Sequence, residues 1–244
     1  MRLTLEFITD QYLKLPVQYN YQIQSLLYNN ISPELSTFLH DHGFTVEKRA
    51  FKLFTFSRLR GKFFLDEKAG AIVFIPPVYL TVSSPIDRFV SELANTLIYK
   101  EELRLGKNKL RVQSIRVHPE PRLTENINIK MVSPVTVYST LLTADGKKKT
   151  YYYSPYEAEF VDLIDENLRK KFIALYRKVP RARKLEITPL GRPHQKILKY
   201  RDTIIKAWFG NFNLRGNLKI LQLAYETGVG SKNSQGFGMF EVAE

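Results

Sequence analysis

The order of strand-like and helix-like segments along this chain repeats once, and this repetition constrains the fold more than any other feature. Apolar and polar residues alternate over 2–8, which predicts a strand with one buried face. An apolar stripe at helical spacing follows over 23–31. A short helix is predicted from Ser32-Pro33, an N-cap followed by proline, to Gly43. The other elements predicted in the first half are strands at 51–57, 71–80 and 110–117 and a helix at 85–97.

The second half of the chain repeats this order with longer insertions. It predicts strands at 127–137, 151–153, 185–188, 197–200 and 239–242, and helices at 155–176 and 214–225. Asp145-Gly146 is a hairpin-turn pair. Two βαββαβ units define an α+β fold of two tandem ferredoxin-like, or RRM-like, domains. Because no flexible linker separates them, we expect the domains, residues 1–121 and 122–244, to pack side by side.

A glycine-rich segment lies between the last predicted helix and the last predicted strand. Residues 228–238, hereafter the glycine loop, read Gly-Val-Gly-Ser-Lys-Asn-Ser-Gln-Gly-Phe-Gly. Glycine allows close backbone approaches that a Cβ blocks, and amides in such a loop form anion-binding nests. The spacing is neither that of a Walker loop nor that of a dinucleotide fingerprint. The alternative is a flexible hairpin. The expected phosphate contacts are Gly228, Gly230, Lys232, Asn233, Gly236 and Gly238.

The positive charge of the chain is concentrated in one segment. The formal net charge is +13, and residues 169–206 contain thirteen Lys or Arg against two acids. Such an excess indicates a polyanionic partner, either nucleic acid or an anionic membrane surface. The alternative is a solvated basic surface. Within the segment, Arg181, Arg183 and Lys184 are the candidate phosphate contacts.

Several classes of protein and site are excluded by what the sequence lacks. The chain has no cysteine, so disulfides and cysteine-ligated zinc are excluded. No metal-binding motif and no Gly-x-Ser-x-Gly elbow is present, so we expect neither a metal nor another cofactor. The longest apolar run, 71–80, is far shorter than the roughly 20 residues of a membrane span. Residues 1–7 do not resemble a signal peptide, and a cytoplasmic location is expected.

Candidate acid–base residues are few. The four histidines are His40, His42, His118 and His194, and a histidine acts in catalysis only beside positioned partners. His40 has the best context, in the last turn of the short helix before Gly43. If the protein cuts RNA, these residue types favour a metal-free route, in which the ribose 2′-hydroxyl attacks its own 3′-phosphate. That step needs a base, an acid and a cation, which histidine, tyrosine and lysine supply.

Four motifs make the chain resemble a known family. They are Ser-Leu-Leu-Tyr-Asn-Asn at 25–30, Phe-Leu-His-Asp at 38–41, Phe-Lys-Leu-Phe-Thr-Phe-Ser at 51–57, and the glycine loop. In this order they resemble the CRISPR-associated repeat endoribonucleases of antiviral defence, the sixth Cas family of the RAMP superfamily. The resemblance implies tandem ferredoxin-like domains that bind CRISPR repeat RNA and cut it once per repeat without metal. It also implies 2′,3′-cyclic phosphate and 5′-hydroxyl ends and delivery of the product to subunits of an effector complex.

The same resemblance assigns three catalytic positions. Tyr28 would orient the 2′-hydroxyl and help to deprotonate it, His40 would shuttle the proton, and Lys52 would hold the negative phosphorane. Each position has an alternative interpretation. Tyr28 adjoins the apolar stripe and could be a core residue. Lys52 alternates with Phe54 and Phe56 and could be a solvated lysine at a strand edge. His42 is an alternative to His40 as the catalytic histidine.

A second function remains open at this point. A ferredoxin-like RNA clamp with the same loop would bind without cutting, as a non-catalytic RNA-binding subunit of a CRISPR effector complex. A third function, binding to a membrane surface through a basic patch, requires an amphipathic basic helix with exposed aromatic residues, and the sequence does not contain one. Single-stranded RNA is favoured over duplex DNA because no helix-turn-helix or zinc finger is present and aromatic residues suit base stacking. Whether the repeat forms a hairpin and whether the protein forms a homodimer both stay open.

Overall fold

The first half of the chain builds one large antiparallel sheet with helices. The computed structural model describes residues 1–142 and 145–243. The elements of this half are β1 (Arg2–Ile8), β2 (Leu13–Pro16), α1 (Asn20–Tyr28), α2 (Pro33–Thr37), β3 (Phe44–Val46), β4 (Arg49–Phe51), β5 (Thr55–Phe56), β6 (Arg60–Asp66), β7 (Ala71–Ser83), α3 (Asp87–Tyr99), β8 (Leu103–Leu105) and β9 (Asn108–Val117). A π-helical turn, Phe38–His42, continues α2.

The central strands of this sheet have the ferredoxin-like order. β7 and β9 flank β1, and β6 pairs with β7, all antiparallel. This arrangement places the fourth strand of a βαββαβ unit beside the first, and the second at an edge. Leu3, Leu5 and Phe7 alternate along β1, are buried, and share a core with α1 and α3. Burial of each such side chain contributes roughly 1.5–3 kcal/mol, so the alternation holds β1 at the centre.

The second half repeats this arrangement with a smaller sheet. Its elements are β10 (Asn126–Met131), β11 (Tyr138–Leu142), β12 (Lys148–Tyr152), α4 (Ala158–Tyr176), β13 (Glu186–Tyr200), β14 (Thr203–Arg215), α5 (Leu218–Thr227) and β15 (Phe240–Val242). The strand order β13-β14-β10-β15 is again that of a ferredoxin-like unit, with its own apolar core. The predicted fold class is therefore confirmed. The turn pair Asp145-Gly146 lies between β11 and β12, as predicted.

Two segments differ from their predicted structure in the first half. The strand expected at 51–57 is broken into β4 and β5 because Leu53 has a φ of 52°, which no strand residue adopts. Besides β1, the main partner of β7 is β6, whose mostly exposed residues do not alternate in polarity. The expected placement of Lys52, Phe54 and Phe56 on one strand face is therefore wrong.

The second half contains a long β-hairpin that the sequence analysis predicted incorrectly as two short strands. The strands expected at 185–188 and 197–200 are one strand, β13, and its partner β14 was not predicted. The helix expected from residue 214 begins at Leu218, because Asn217 accepts a hydrogen bond from the Lys219 amide at 3.0 Å and caps it. Leu214 belongs to β14 and is buried.

The two halves are joined by buried polar contacts. The Arg2 guanidinium in β1 donates to the carbonyls of Tyr225 at 2.7 Å and Phe240 at 2.9 Å, and it lies 3.4 Å from the centre of the Tyr225 ring. The Asn20 amide in α1 donates to the carbonyl of Gln235 at 2.7 Å. The units thus pack side by side, as expected. In the described parts of the chain, no helix combines the length and apolar character that a membrane crossing requires.

Candidate active site

The glycine loop is packed into the protein rather than open to solvent. All four of its glycines have positive φ and are buried. A Cβ on Gly238 would lie 1.9 Å from the Val229 carbonyl oxygen, and one on Gly236 would lie 2.4 Å from Phe56. The Gly238 amide donates to Pro134 O at 2.9 Å. A side chain at Gly236 or Gly238 would thus collide with protein atoms first, which corrects the expectation that it would block the approach of a phosphate.

A buried lysine that the sequence analysis did not single out holds this loop. Lys171 in α4 donates from Nζ to the Gly228 carbonyl at 2.8 Å and to Asn233 Oδ1 at 2.7 Å. Burial lowers its pKa to about 7, and a neutral amine keeps both N–H donors. Asn233 Nδ2 donates to the carbonyls of Val229 and Phe237, each at 3.0 Å. Asn233 therefore shapes the loop from inside, and its amide is already engaged.

The packing of the loop predicts a large loss of stability for Gly238→Ala. The added Cβ meets a backbone carbonyl and the residue keeps a positive φ, so we expect about 3 kcal/mol or more of destabilisation in urea unfolding. Gly191→Ala is the matched control, since Gly191 has a φ of +80° with nothing within 4 Å of its Cβ. It should lose only about 1–2 kcal/mol. Equal losses in both variants would contradict a packing role.

A basic cavity lies between the outer side of the loop and the first half of the chain. It has a volume of about 640 Å³, and Lys52, Lys171 and Lys232 contribute to its lining. Its described lining includes no Asp or Glu. Lys232 Nζ lies 4.9 Å from the centre of the Tyr138 ring, and burial lowers the pKa of Lys232 and of Lys52. Such a cavity favours an anionic occupant, since an anion restores the charged form of each amine.

A second, smaller cleft of about 310 Å³ contains His40 and Tyr28, and we call it the His40 cleft. The His40 ring lies edge-on to the Tyr28 ring at 6.1 Å between centres, and Nδ1 lies 2.6 Å from Asp41 Oδ1. Lys52 Nζ donates to the His40 main-chain carbonyl at 2.6 Å. The structure thus brings the three predicted catalytic residues together. The other lining residues include Arg201 from the tip of the β13–β14 hairpin.

Local backbone structure explains the position of His40. Ser32 caps α2 by accepting from the Leu35 amide, and Leu39 is buried, which turns His40 outward. Gly43, with a φ of 66°, ends the π-helical turn, and its amide donates to Phe38 O at 2.6 Å. A Cβ on Gly43 would lie 2.7 Å from the Phe51 carbonyl oxygen, so only glycine lets the next residues bring Lys52 back beside His40.

The protonation states of the neighbouring groups limit what each can do. Burial raises the pKa of the Tyr28 phenol, so Tyr28 keeps its proton, which suits a hydrogen-bond donor better than a base. The hydrogen bond with His40 lowers the pKa of Asp41, which keeps this carboxylate ionised. An ionised Asp41 is a hydrogen-bond acceptor, which favours the His40 tautomer with its proton on Nδ1 and leaves Nε2 available to a ligand.

The other three histidines lie outside this cleft. His42 is exposed and is absent from the described lining. His118 Nε2 lies 2.7 Å from Thr4 Oγ1 of β1, and burial lowers the pKa of His118. His194 stacks on Phe209 in the long hairpin. Among residues 1–142 and 145–243, no group of three or more His, Asp or Glu is placed to hold a metal ion.

The basic segment, residues 169–206, has less excess positive charge around it in the folded protein than its sequence suggests. Acids one helical turn earlier in α4 pair with its first cations, Arg169 with Asp165 at 2.7 Å and Lys170 with Glu166 at 2.6 Å. Lys184 pairs with Asp162. The segment 169–206 begins just after these acids in the sequence, so its count of thirteen cations against two acids overstated the local positive charge. Arg181 and Arg183 are exposed, and neither belongs to the described lining of the basic cavity or of the His40 cleft.

Comparison with known proteins agrees with this architecture. Residues 14–116 match the family model "CRISPR-associated protein Cas6, N-terminal", and residues 118–242 match "CRISPR associated protein Cas6, C-terminal". The "CRISPR-associated endoribonuclease Cas6 1" of Methanocaldococcus jannaschii is 31% identical, with 98% of this chain and 91% of that protein covered. The "CRISPR-associated endoribonuclease Cas6" of Pyrococcus furiosus is 30% identical, with 96% and 85% covered.

A solved structure extends this similarity to three dimensions. The structure described as "CRISPR associated protein Cas6" superposes with a TM-score of 0.82 at 29% identity, and 100% of this chain and 99% of that chain are covered. The matched regions include the segments that carry Tyr28, His40, Lys52 and the glycine loop. The chain belongs to the Cas6 family of CRISPR-associated proteins.

Proposed function

We propose that this protein is an endoribonuclease that binds CRISPR repeat RNA and cuts the precursor transcript once within each repeat. The observation that carries the proposal is the assembly of Tyr28, His40 and Lys52 at one place, beside a basic cavity whose described lining has no carboxylate. The names of the relatives support the same activity. The reaction needs no cofactor and leaves a 2′,3′-cyclic phosphate and a 5′-hydroxyl.

The proposed chemistry is an internal transesterification. The 2′-oxygen attacks the adjacent phosphorus, so a P–O2′ bond forms and the P–O5′ bond breaks. His40 Nε2 accepts the proton of the 2′-hydroxyl and returns a proton to the departing 5′-oxygen, while Asp41 orients the ring through Nδ1. Tyr28 orients the hydroxyl as a neutral donor. Lys52 offsets the charge that builds on the phosphorane.

The proposed RNA path runs along both domains. The first, residues 1–121, carries the three catalytic residues, and the second, residues 122–244, carries the glycine loop. Lys232 contacts phosphate in the basic cavity, whereas Gly228, Gly230, Gly236, Gly238 and Asn233 contribute by shaping the loop that presents it. Arg181, Arg183 and Lys184 contact phosphates outside the cavity. The substrate is a single-stranded or hairpin repeat, the protein acts in the cytoplasm, and the product passes to effector-complex subunits.

The test is an assay with end-labelled repeat RNA in the presence of EDTA. We expect one cut per repeat at the same rate with EDTA or magnesium, and a 2′,3′-cyclic phosphate that acid treatment opens. Tight binding of the repeat without any cut would contradict the proposal and favour the non-catalytic RNA-binding subunit. A cut that needs magnesium and leaves a 3′-hydroxyl would contradict the mechanism.

A further inference from the structure

The tip of the β13–β14 hairpin reaches from the second half of the chain to the first. Tyr200 and Thr203 pair at its end, so Arg201 and Asp202 form the turn, and Arg201 adopts a φ of 51°. The Tyr200 hydroxyl hydrogen-bonds Gln24 of α1. The hairpin also packs on the glycine loop, because Tyr200, Leu198 and Ile205 share a small buried cluster with Phe237. The turn is therefore held at a defined place against α1.

This placement brings Arg201 to the His40 cleft. The Arg201 guanidinium carbon lies 4.5 Å from the centre of the Tyr21 ring, and the Tyr21 ring meets the Tyr200 ring edge-on at 6.1 Å. Among the described residues that line the cleft, Arg201 is the only lysine or arginine. Within the described chain, no Asp or Glu forms an ion pair with it. A guanidinium that rests on an aromatic ring is oriented, and its remaining N–H groups stay available to an anion.

Lys52 approaches the same region from another side. Its ammonium donates to the main-chain carbonyl of His40, and its side chain lines the basic cavity rather than the His40 cleft. A phosphate bound beside the His40 ring would therefore face Lys52 from the first half of the chain and Arg201 from the second. Charge that develops on a phosphorane spreads over its non-bridging oxygens, and a planar fork of donors suits two of them.

We propose that Arg201 is a further catalytic residue that contacts the scissile phosphate and stabilises the phosphorane, so that the second half of the chain completes the His40 cleft. This inference rests on the proposed function. Arg201 forms no bond and moves no proton. Its guanidinium stays protonated throughout, while the P–O2′ bond forms and the P–O5′ bond breaks.

The test is single-turnover cleavage of repeat RNA at saturating protein. Arg201→Ala should lower the cleavage rate by about 10²-fold, as expected for the loss of one preorganised donor. Repeat binding should weaken less than about 5-fold, because one exposed phosphate contact contributes little affinity. Arg201→Lys should fall between, because it keeps the charge and loses the planar fork. Arg104→Ala, an exposed arginine of β8 beside Glu102, is the control and should cut normally.

Two further measurements separate this catalytic role from a structural one. Added guanidinium should restore part of the rate of Arg201→Ala and none of the rate of His40→Ala. Tyr21→Ala, which removes the supporting ring, should slow cleavage, whereas Tyr21→Phe should not. If the wild type cuts and Arg201→Ala cuts equally fast, or if guanidinium restores nothing, the inference about Arg201 is wrong and the proposed function stands. If the wild type itself does not cut, the proposed function is wrong.

Discussion

A repeat RNA with a single 2′-deoxyribose immediately upstream of the scissile phosphate should bind this protein nearly normally and should not be cut. The proposed nucleophile is the missing hydroxyl, so cleavage should vanish with or without magnesium. We expect most contacts to go to phosphates and bases, so the loss of one hydroxyl should cost only about 1 kcal/mol of binding free energy. Electrophoretic mobility shift and denaturing gels on the same samples measure the two quantities.

The position of the substitution provides the control for this experiment. The same deoxyribose placed one nucleotide further upstream removes a hydroxyl that forms no bond to the reacting phosphorus, and this RNA should be cut at close to the normal rate. Cleavage of the first RNA would show that water attacks the phosphate. That outcome would contradict the roles proposed for Tyr28, His40 and Lys52.

His40→Ala should lower the cleavage rate by roughly 10²-fold or more while leaving repeat binding almost unchanged. Loss of a general acid and base has an effect of this size. The side chain of His40 is 73% exposed, so its removal leaves no buried cavity, and urea unfolding should not change. Single-turnover rates at saturating protein keep the chemical step apart from binding.

His42→Ala is the matched control, because His42 lies in the same π-helical turn, is also exposed, and does not line the His40 cleft. It should cut at close to the wild-type rate. The reverse result, with His42→Ala slow and His40→Ala normal, would assign the proton-shuttling role to His42 and would contradict the role proposed for His40.

The sequence correctly predicted the strands and helices that are encoded by a few neighbouring residues. The alternation in β1 and the Ser32-Pro33 cap are properties of a few neighbouring residues, and both are confirmed. β6 was not predicted, because it lies at a sheet edge and its exposed residues do not alternate. β14 alternates only in parts and pairs with β13 along nearly all of its length, so tertiary pairing defines it.

In the candidate site too, the sequence predicted the residues that belong to motifs and missed those placed by long-range contacts. Motif resemblance found Tyr28, His40 and Lys52, and the structure brings all three together. Lys171 and Arg201 were not singled out, since neither belongs to a motif. Lys171 appeared only as one basic residue among many, although it is buried and, among the described residues, has no carboxylate partner. Arg201 reaches the cleft through a hairpin whose second strand was not predicted. Contacts between distant parts of the chain leave no local signature.

The contacts between the first strand and the last one also determine when during synthesis the site is complete. The ribosome releases a chain from its N-terminus, and early units fold first. The Phe240 carbonyl that Arg2 binds lies 238 residues further along the chain, and the Gln235 carbonyl that Asn20 binds lies 215 residues further. A nascent or prematurely terminated chain therefore has His40 but lacks the glycine loop, whose residues Lys232 and Asn233 line the basic cavity. Under the proposed function, we expect such an unfinished copy to carry His40 and yet to leave RNA uncut.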